Sequence, residues 1–371
     1  MRIAVLKETA AGESRVAASP ETVKKFIALG ASVAVEAGAG LNAAIADADY
    51  TAAGAEVSKD PAKGAGIVLG VQGPDVAALK GANKGAWIVA GHDPFGQRAR
   101  IDAYAKAGFE ALAMEFMPRI TRAQSMDILS SQSNLSGYKA VIEAANAYGR
   151  AFPMMMTAAG TVSAAKCYVM GVGVAGLQAI ATARRLGAQV SATDVRSATK
   201  EQIMSLGAKP VFVENVAGIE GEGAGGYATE MSPEYQAAQA ELVSSHIARQ
   251  DIVITTALIP GRAAPRLVSD AQLASMKPGS VVFDLAVAQG GNVEGSKADE
   301  VVIRHGVKII GWSNTPAHLA ADASALFSRN LYNFLSAFWD KDAGKPVLDD
   351  EIGNAVRLTL GGKVVHERLL G

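Results

Sequence analysis

The sequence predicts an α/β protein with two doubly wound parallel-sheet domains that are joined by long helices, the first domain being discontinuous. Short apolar runs alternate with helical patterns along the chain, and a glycine-rich turn between a strand and a helix is centred on Gly173. The length of 371 residues is enough for about two domains. We expect the first domain to comprise residues 1–132 and 320–371, and the second to comprise residues 133–319.

The N-terminal region has the pattern of a parallel sheet with crossover helices. Ser19, Pro20 and Glu21 suit the N-cap, the first position and the first turn of a helix, which is expected to end at Gly30. Short apolar runs predict buried strands, at residues 3–6, 32–35, 66–71, 87–90 and 110–115. Two longer helical patterns, over residues 126–148 and 320–339, are expected to link the domains.

A dinucleotide-binding βαβ unit is predicted from residue 166 onward. The apolar run 167–170 leads into Gly171, Gly173 and Gly176, which have the spacing Gly-x-Gly-x-x-Gly. Gly171 permits a tight turn, Gly173 lets backbone N–H groups approach a pyrophosphate, and Gly176 lets helix and strand pack closely. The pyrophosphate would lie at the positive end of the helix, beside Val174.

The helix of this unit is expected to end at Gly187, and the strand 189–193 then leads to Asp194. A carboxylate at this position can accept hydrogen bonds from both hydroxyls of an adenosine ribose, and it would repel a 2′-phosphate. The site should therefore prefer NAD to NADP, although Arg196 and Lys200 could weaken that preference. The alternative interpretation is a glycine turn with only a structural role.

The rest of the second domain continues the alternation. A helix should end at Gly207, and strands are expected at residues 211–213, 251–258, 280–285 and 307–312. The segment 214–233 is too rich in glycine for a fixed element and too long for an ordinary connection. It is either a lid or partner-binding arm, or a disordered surface insertion, and its composition does not separate the two.

Composition excludes several classes of protein. The 35 basic and 36 acidic residues nearly cancel, and without a basic run no nucleic-acid partner is expected. A single cysteine, Cys167, excludes an intrachain disulfide framework, fits a reducing compartment and is expected to be an inert core residue. No signal peptide, membrane span or metal site is predicted.

A polar segment before the first long helix is the second candidate site. Arg119, Gln124, Asp127 and Ser130 lie close together in sequence, and the last three recur at a spacing that places them on roughly one side of a helix start. They could hydrogen-bond a ligand. They could equally cap the helix, with Ser125 as the N-cap and Asp127 in the first turn, and the residues alone favour capping.

Several motifs occur in order along nearly the whole chain, at residues 118–138, 154–161, 171–183, 225–228, 255–261 and 276–281. They include Arg-Ile-Thr-Arg-Ala-Gln-Ser-Met-Asp from Arg119, Met-Met-Met-Thr-Ala-Ala-Gly from Met154 and Thr-Thr-Ala-Leu-Ile-Pro-Gly from Thr255. Together they closely resemble the NAD(H)-binding domain I of proton-translocating nicotinamide nucleotide transhydrogenase. In that family, domain I passes a hydride from NADH to NADP⁺ on a domain III, and a membrane domain II couples the exchange to proton movement.

The resemblance implies a cytoplasmic NAD(P)⁺ transhydrogenase subunit, peripheral to the inner membrane through its partners. Those partners would be the NADP(H)-binding domain III, the membrane domain II and a second copy of the chain. Arg119, Gln124 and Asp127, with Ser130 beside them, would orient the nicotinamide and its ribose. Tyr227 would lie on a mobile loop that closes over the nucleotide. The implied contacts of NAD(H) are Gly171, Gly173, Val174, Gly176, Asp194, Val195, Arg196, Tyr227, Thr256, Ala257 and Leu258.

Hydride transfer between two nicotinamides creates no alkoxide and removes no proton, so a general acid or base is unnecessary. Positioning is then the main catalytic task, and exclusion of water by a lid is the second.

Two alternatives use the same fold differently. Alanine dehydrogenase is similar and has an arginine like Arg15, but the two lysines of its Lys-Val-Lys pattern appear as Gly70 and Gln72, and its aspartate appears as Ala288. His92 remains as an acid or base, or as a structural histidine. Gly70 and Gly73 also depart from the transhydrogenase pattern, where lysine and arginine are usual, which leaves a divergent member open. A non-catalytic NAD-binding sensor that docks a partner through residues 214–233 is the third hypothesis.

Overall fold

The computed structural model describes residues 1–213, 232–259, 261–348 and 351–370. Backbone contacts divide the chain into two compact units: Met1–Gln132 with Pro316–Gly371, and Ser133–Thr315. Each unit is built around its own sheet.

The described part of the first unit contains a six-stranded sheet in which all pairs are parallel, in the order β3-β2-β1-β4-β5-β6. The chain builds this sheet outward from β1 to β3 and then, on the other side of β1, from β4 to β6. The order therefore reverses between β1 and β4. The strands are β1 (Arg2–Val5), β2 (Ser32–Glu36), β3 (Glu56–Ser58), β4 (Ile67–Gln72), β5 (Trp87–Gly91) and β6 (Glu110–Ala113).

Helices cover this sheet, and the first begins as predicted. The hydroxyl oxygen of Ser19 accepts a hydrogen bond from the backbone N–H of Thr22, and the hydroxyl oxygen of Thr22 accepts one from the N–H of Ser19, which is a capping box. Val23 and Phe26 of this helix are fully buried in the core. The helices are α1 (Pro20–Ala28), α2 (Asp47–Ala52), α3 (Arg98–Ala107) and α4 (Ile128–Ala147), the last of which continues into the second unit.

The second unit begins with α4 and a short antiparallel hairpin, β7 (Met155–Thr157) and β8 (Gly160–Val162). Its main sheet has, among described residues, seven strands in the order β11-β10-β9-β12-β13-β15-β14. They are β9 (Lys166–Met170), β10 (Gln189–Thr193), β11 (Lys209–Pro210), β12 (Ile252–Thr255), β13 (Val281–Asp284), β14 (Glu300–Arg304) and β15 (Val307–Gly311). The helices are α5 (Val174–Arg185), α6 (Thr199–Ser205), α7 (Pro233–Ile247) and α8 (Asp270–Ser275).

The C-terminal segment returns to the first unit, which confirms that this unit is discontinuous. Phe327, Leu331 and Phe334 on its long helix belong to the core that also contains Phe26. The elements of this segment are α9 (Ala320–Ala337), β16 (Trp339–Asp340), β17 (Lys345–Pro346), α10 (Glu351–Val356), β18 (Thr359–Leu360) and β19 (Lys363–Val364).

The expected α/β class with doubly wound sheets is confirmed, and several local predictions are corrected. The strand predicted at residues 211–213 lies earlier, at Lys209–Pro210, where it pairs with Ser191 and Ala192. The strand predicted at 251–258 ends at Thr255, and the strand predicted at 110–115 ends at Ala113, before a short 3₁₀ turn. The second sheet is not wholly parallel, because β14 pairs antiparallel with β15.

Most of the glycine-rich segment predicted at 214–233 lies outside the described residues, as does Tyr227. None of the helices in the described ranges combines the length and the apolar character that crossing a bilayer requires.

Candidate functional site

The strand order of the second sheet locates its binding edge. From β9 the chain passes to β10 and β11 on one side, and later to β12 and β13 on the other. Ligands of open α/β sheets bind beyond the carboxyl ends of the strands at such a reversal. Here those ends are the turn after Met170 and the turn after Thr255, two residues that are paired across β9 and β12.

Two of the three predicted glycines are required by the local packing. Gly171 has a φ of +97°, and a Cβ on it would lie 2.6 Å from the Thr256 hydroxyl oxygen. A Cβ on Gly176 would lie only 1.9 Å from the carbonyl oxygen of Gly171. Neither position accepts a side chain unless the backbone moves, so both glycines hold the turn against the first turn of α5.

Gly173 has the opposite surroundings. Among described residues, no heavy atom outside its immediate neighbours lies within 4 Å of a Cβ built on Gly173, which directly precedes α5. Val174, the first residue of that helix, is exposed. The first N–H groups of an α-helix have no partners within the helix, and the helix dipole makes this end positive. Gly173 therefore leaves room for an anion to reach these N–H groups.

Asp194 lies directly after β10 and is buried. Its carboxylate accepts four hydrogen bonds from described residues: one from the backbone N–H of Val172 at 2.7 Å, one from that of Arg196 at 2.9 Å, and two from the Arg196 guanidinium at 2.9 and 3.0 Å. A carboxylate has about four acceptor positions. The acid thus fixes the glycine turn, and the two positions suited to ribose hydroxyls are occupied by the Arg196 side chain. Val195, between the two, is half-buried.

The turn after β12 lies against the glycine turn. The Thr256 hydroxyl donates a hydrogen bond to the carbonyl oxygen of Gly171 at 3.0 Å, and a Cβ on Gly171 would lie 3.2 Å from the backbone nitrogen of Ala257. Leu258 is 37% exposed, so its side chain is on the surface of this edge. The structure therefore brings Gly171, Thr256 and Ala257 together, as the predicted cofactor site requires.

Two residues of this edge were missed from the sequence. Asn292 and Asp284 are fully buried, and the Asn292 side chain hydrogen-bonds both backbone groups of Ala257. The signal available was the sequence Gly290-Gly291-Asn292 after a predicted strand, a pattern typical of a constrained turn.

The second candidate segment belongs to the first unit. Residues Thr121–Met126 form a 3₁₀ helix, and α4 begins only at Ile128, so the helix predicted from residue 126 starts later. Arg119 and Gln124 are exposed. Asp127 and Ser130 lie together: Asp127 accepts hydrogen bonds from the Ser130 backbone N–H at 3.0 Å and from its hydroxyl at 2.5 Å. Asp127, rather than Ser125, therefore caps the helix.

Helix α9 anchors this segment from the C-terminal region of the chain. The carboxamides of Asn330 and Asn333 donate to the carbonyl oxygen of Ser125 at 2.8 and 3.0 Å. The carboxamide oxygen of Asn330 also accepts a hydrogen bond from the Ser131 hydroxyl at 2.7 Å. Ala123 and Met126 are buried in the first core. The segment that presents Arg119 and Gln124 is thus held by both polar and apolar contacts.

Arg15, which the alanine dehydrogenase alternative would use to bind a carboxylate, is already paired. Its guanidinium donates to the Glu13 carboxylate at 2.8 and 2.7 Å and to the Gln132 side chain at 2.9 Å. Gln72 donates to the same carboxylate at 3.1 Å. Burial opposes ionisation of Glu13, but the contacts with Arg15 lower its pKa overall. The positive charge of Arg15 is therefore neutralised within the protein.

The two glycines that depart from the family patterns stand where side chains do not fit. A Cβ on Gly70 would lie 2.5 Å from the carbonyl oxygen of Gln72, and one on Gly73 would lie 2.5 Å from Nδ1 of His92. The β4–β5 register also shifts between Leu69 and Gln72. A lysine or arginine at either glycine would require a different local backbone.

His92 has the surroundings of a structural histidine. It is fully buried, its Nε2 lies 3.0 Å from the carbonyl oxygen of Ile88, and burial lowers its pKa to about 4. The neighbouring Glu115 accepts hydrogen bonds from the backbone N–H groups of His92 and Asp93 at 2.7 and 2.6 Å, and burial raises its pKa to about 7. Cys167 is also fully buried, which raises its thiol pKa to about 12, so it is not a reactive thiolate.

Comparison with known proteins agrees with this geometry. Residues 4–136 match the alanine dehydrogenase/PNT N-terminal domain family, and residues 140–367 match the corresponding C-terminal domain family. The chain is 51% identical to the NAD(P) transhydrogenase alpha subunit of Rhodospirillum rubrum, in the form that carries the first portion of that subunit, over 100% of this chain and 99% of that protein.

Solved structures show the same relationship. The transhydrogenase of Sinorhizobium meliloti superposes with a TM-score of 0.90 at 54% identity, covering 98% of this chain and all of that chain. An L-alanine dehydrogenase superposes with a TM-score of 0.81 at 25% identity, covering 100% of this chain and 98% of the other. The chain therefore belongs to the alanine dehydrogenase/PNT family, in which its strong full-length similarity is to the alpha subunits of NAD(P) transhydrogenase.

Proposed function

We propose that this chain is the NAD(H)-binding subunit of a proton-translocating NAD(P)⁺ transhydrogenase. It would pass a hydride from NADH to NADP⁺ held on a partner domain III, coupled to proton movement by a membrane domain II. The observation that carries the proposal is the edge of the second sheet, where a glycine turn, the free end of α5 and Asp194 meet at a strand-order reversal. Full-length identity to the Rhodospirillum rubrum alpha subunit supports it.

The residues at this edge fit NAD(H). The open position at Gly173 leaves the N–H groups of α5 accessible to a pyrophosphate. Two of the four hydrogen bonds to Asp194 come from the flexible Arg196 side chain. Withdrawal of that side chain frees one acceptor position on each carboxylate oxygen, which equals the number of hydroxyls on the adenosine ribose. Bound NADH supplies the hydride.

Arg119, Gln124, Asp127 and Ser130 are proposed to orient the nicotinamide and its ribose. The exposed side chains of Arg119 and Gln124 stand on a segment held by α9, and Asp127 has a fixed orientation through Ser130. A firmly held set of hydrogen-bonding groups suits a reaction that depends on positioning and transfers no proton. Tyr227 is proposed to close over the nucleotide, and it lies outside the described residues.

We also propose that two copies of the chain associate and that the complex is cytoplasmic and peripheral to the inner membrane through its partner domains. The hairpin β7–β8 carries exposed apolar side chains, with Met154, Met155 and Met156 exposed by 62%, 42% and 79%. Contiguous exposed methionines are typical of interaction surfaces. Light scattering should give the mass of a dimer, and of a monomer once Met154 and Met156 are replaced by serine. A monomeric wild-type chain would contradict self-association.

The alanine dehydrogenase alternative is less well supported. The Arg15 charge is paired with buried Glu13, and the backbone at Gly70 excludes a lysine. Oxidation of alanine also requires a group that takes a proton, and the low pKa of His92 comes with a fully enclosed ring. A non-catalytic NAD sensor remains the third candidate, and turnover with the partner domain separates it from a transhydrogenase.

Binding and turnover tests separate these functions. We expect NADH to bind much more tightly than NADPH in a fluorescence titration, because Asp194 repels a 2′-phosphate. The Asp194→Asn variant should narrow that difference. We expect no NADH formation from alanine and NAD⁺ by this chain alone. Steady alanine-dependent NADH formation would overturn the proposed function and restore the dehydrogenase.

A further inference from the structure

Asn292 holds the turn that follows β12 from inside the protein. Its side-chain oxygen accepts a hydrogen bond from the backbone N–H of Ala257 at 3.0 Å. Its side-chain nitrogen donates to the carbonyl oxygens of Ala257 at 2.9 Å and Pro265 at 2.8 Å. The residue is fully buried, so each of these bonds replaces a contact with water that folding removes.

These contacts match the chemistry of a carboxamide. An asparagine side chain offers two N–H donors and one carbonyl acceptor, and all three groups are used here. Aspartate would place an acceptor against the carbonyl oxygens of Ala257 and Pro265, and leucine would leave three buried backbone groups unpaired. The position therefore specifies asparagine, although Asn292 itself lies behind the turn and is not exposed at the edge of the sheet.

The backbone of Asn292 is itself fixed. Its N–H donates to the fully buried Asp284 carboxylate at 3.2 Å, and its carbonyl oxygen accepts hydrogen bonds from the N–H groups of Leu267 and Val268 at 2.8 and 3.0 Å. The preceding residue, Gly291, has a φ of +78°, and a Cβ on it would lie 2.7 Å from a carboxylate oxygen of Asp284. Asn292 is thus a rigid support rather than a mobile side chain.

The supported turn is the one that lies against the glycine turn. Thr256 donates to the carbonyl oxygen of Gly171, and the Ala257 nitrogen lies within 3.2 Å of the position of a Cβ on Gly171. Movement of Ala257 therefore disturbs Gly171 and the start of α5. Since both backbone groups of Ala257 bond Asn292, the turn acts on a ligand through its shape and through Thr256 and Leu258, rather than through the Ala257 backbone.

We propose that Asn292 is a positioning residue of the nucleotide site: it sets the turn at residues 256–258 in the conformation that receives NAD(H), without touching the cofactor. The inference rests on the proposed binding of NAD(H) at this edge. It assigns affinity to a residue that a contact-based search of the site would omit.

The test is a comparison of Asn292→Ala with Gln250→Ala. Gln250 is also a buried carboxamide of the second unit, but it precedes β12, and so it lies at the opposite end of that strand from the nucleotide site. Its side chain contacts His246 at the end of α7. The two variants lose comparable buried hydrogen bonds and differ in their distance from the site.

We expect Asn292→Ala to raise the Kd for NADH, measured by fluorescence titration, about tenfold or more, and to raise the Kd for AMP as well. Gln250→Ala should leave both values within about twofold of the wild type while lowering the melting temperature. Unchanged NADH affinity in Asn292→Ala, or an equal loss in Gln250→Ala, would overturn the inference. Failure of the wild-type chain to bind NADH would instead overturn the proposed function.

A measurement on the wild-type chain covers the case in which Asn292→Ala does not fold. Hydrogen exchange of the Ala257 amide should be slow without NADH and should stay slow when NADH is added, because its bond to Asn292 already exists. Rapid exchange without nucleotide, with protection appearing only on binding, would show that the turn is formed by the ligand and would refute preorganisation by Asn292.

Discussion

Gly173 and Gly176 belong to one sequence motif, but their surroundings give them different tasks. A Cβ on Gly176 would lie 1.9 Å from a backbone oxygen, whereas described atoms leave the space around a Cβ on Gly173 open to 4 Å. The sequence identified both because a βαβ unit is local, so its residues are close in the chain as well as in space. The structure adds which glycine serves folding and which leaves room for a ligand.

This difference gives a paired prediction. Gly176→Ala should lower the melting temperature markedly, because the new methyl group displaces backbone in the turn. Gly173→Ala should fold normally, since its φ of −80° suits alanine, but should weaken NADH binding about tenfold or more. Thermal melts and NADH titrations of both variants test this. Normal NADH affinity in a folded Gly173→Ala chain would contradict the role of Gly173.

Asp127 has two candidate tasks, as a helix cap and as a group that orients nicotinamide, and substitution can separate them. Asparagine caps helices as well as aspartate does, whereas alanine costs about 1 kcal/mol. Asp127→Asn should therefore keep the melting temperature of the wild type and lower the rate of hydride transfer, and Asp127→Ala should lower both. An unchanged transfer rate in Asp127→Asn would leave Asp127 with the capping role alone.

Asn292 shows why some residues of the site could not be predicted from the sequence. Its partner Ala257 is 35 residues away, and nothing in the intervening pattern pairs them. Asp194 was predicted from its place after the second strand of the unit, but its bonds to Arg196 were not. Spacing predicts which residues are on the right elements, whereas the tertiary fold decides which of them meet.

At the scale of elements, strand centres were predicted better than strand ends. Buried strands read as apolar runs, and an apolar run does not stop where the hydrogen-bond ladder stops, so the strand at 110–115 continued through residues that form a 3₁₀ turn. Helix α7 was missed, although Ser232, Pro233 and Glu234 repeat the pattern seen at Ser19, and the Ser232 hydroxyl oxygen accepts a hydrogen bond from the Tyr235 N–H. That start signal lay at the edge of the glycine-rich segment and was absorbed into it.

Helix α9 gives a prediction about the segment that it supports. Asn330→Ala removes bonds to both Ser125 and Ser131 and should destabilise the chain by about 1–2 kcal/mol. It should also slow hydride transfer while leaving the Kd for AMP unchanged, because AMP uses only the second unit. Asn333→Ala is the matched control, since Ser125 keeps its bond to Asn330. Equal transfer rates in Asn330→Ala and the wild type would show that this anchor is unimportant for the reaction.

At the scale of the whole molecule, the fold class followed from alternation and from the glycine turn, because parallel sheets need a helix between successive strands. The antiparallel edge strand β14 did not follow, since its residues, 300–304, are only partly apolar and lie beside a short turn. The return of the C-terminal helix to the first unit was expected, and its long-range packing against Phe26 is what makes that unit discontinuous.

The stability of the whole chain should depend on the protonation of Glu8. This carboxylate accepts hydrogen bonds from the backbone N–H groups of Val71 and Gln72, where the strand order of the first sheet reverses, and burial raises its pKa from 4.5 to about 7. The folded state therefore binds this proton more tightly than the unfolded state. Its contribution is fully present below pH 4.5 and is lost as the pH rises through about 7.

Glu8→Gln keeps the neutral form at every pH. Its melting temperature should therefore rise relative to that of the wild type as the pH goes from about 5 to about 8, with a difference on the order of 2 kcal/mol at the higher pH. Thermal melts at both pH values measure this, with the exposed Asp60 changed to asparagine as the control. The same difference between Glu8→Gln and the wild type at both pH values would show that Glu8 is ionised throughout.

Central to the proposed function is that this chain donates hydride from NADH only to a nucleotide held by a partner. The most direct test mixes the chain with a soluble, NADP(H)-loaded domain III and follows reduction of the acetylpyridine analogue of NAD⁺ by NADH, with each protein alone as the control. We expect turnover only in the mixture, and loss of that turnover when Gln124 and Asp127 are replaced by alanine and asparagine. Equal rates with and without domain III, or tight NADH binding with no turnover in the mixture, would contradict the proposed function.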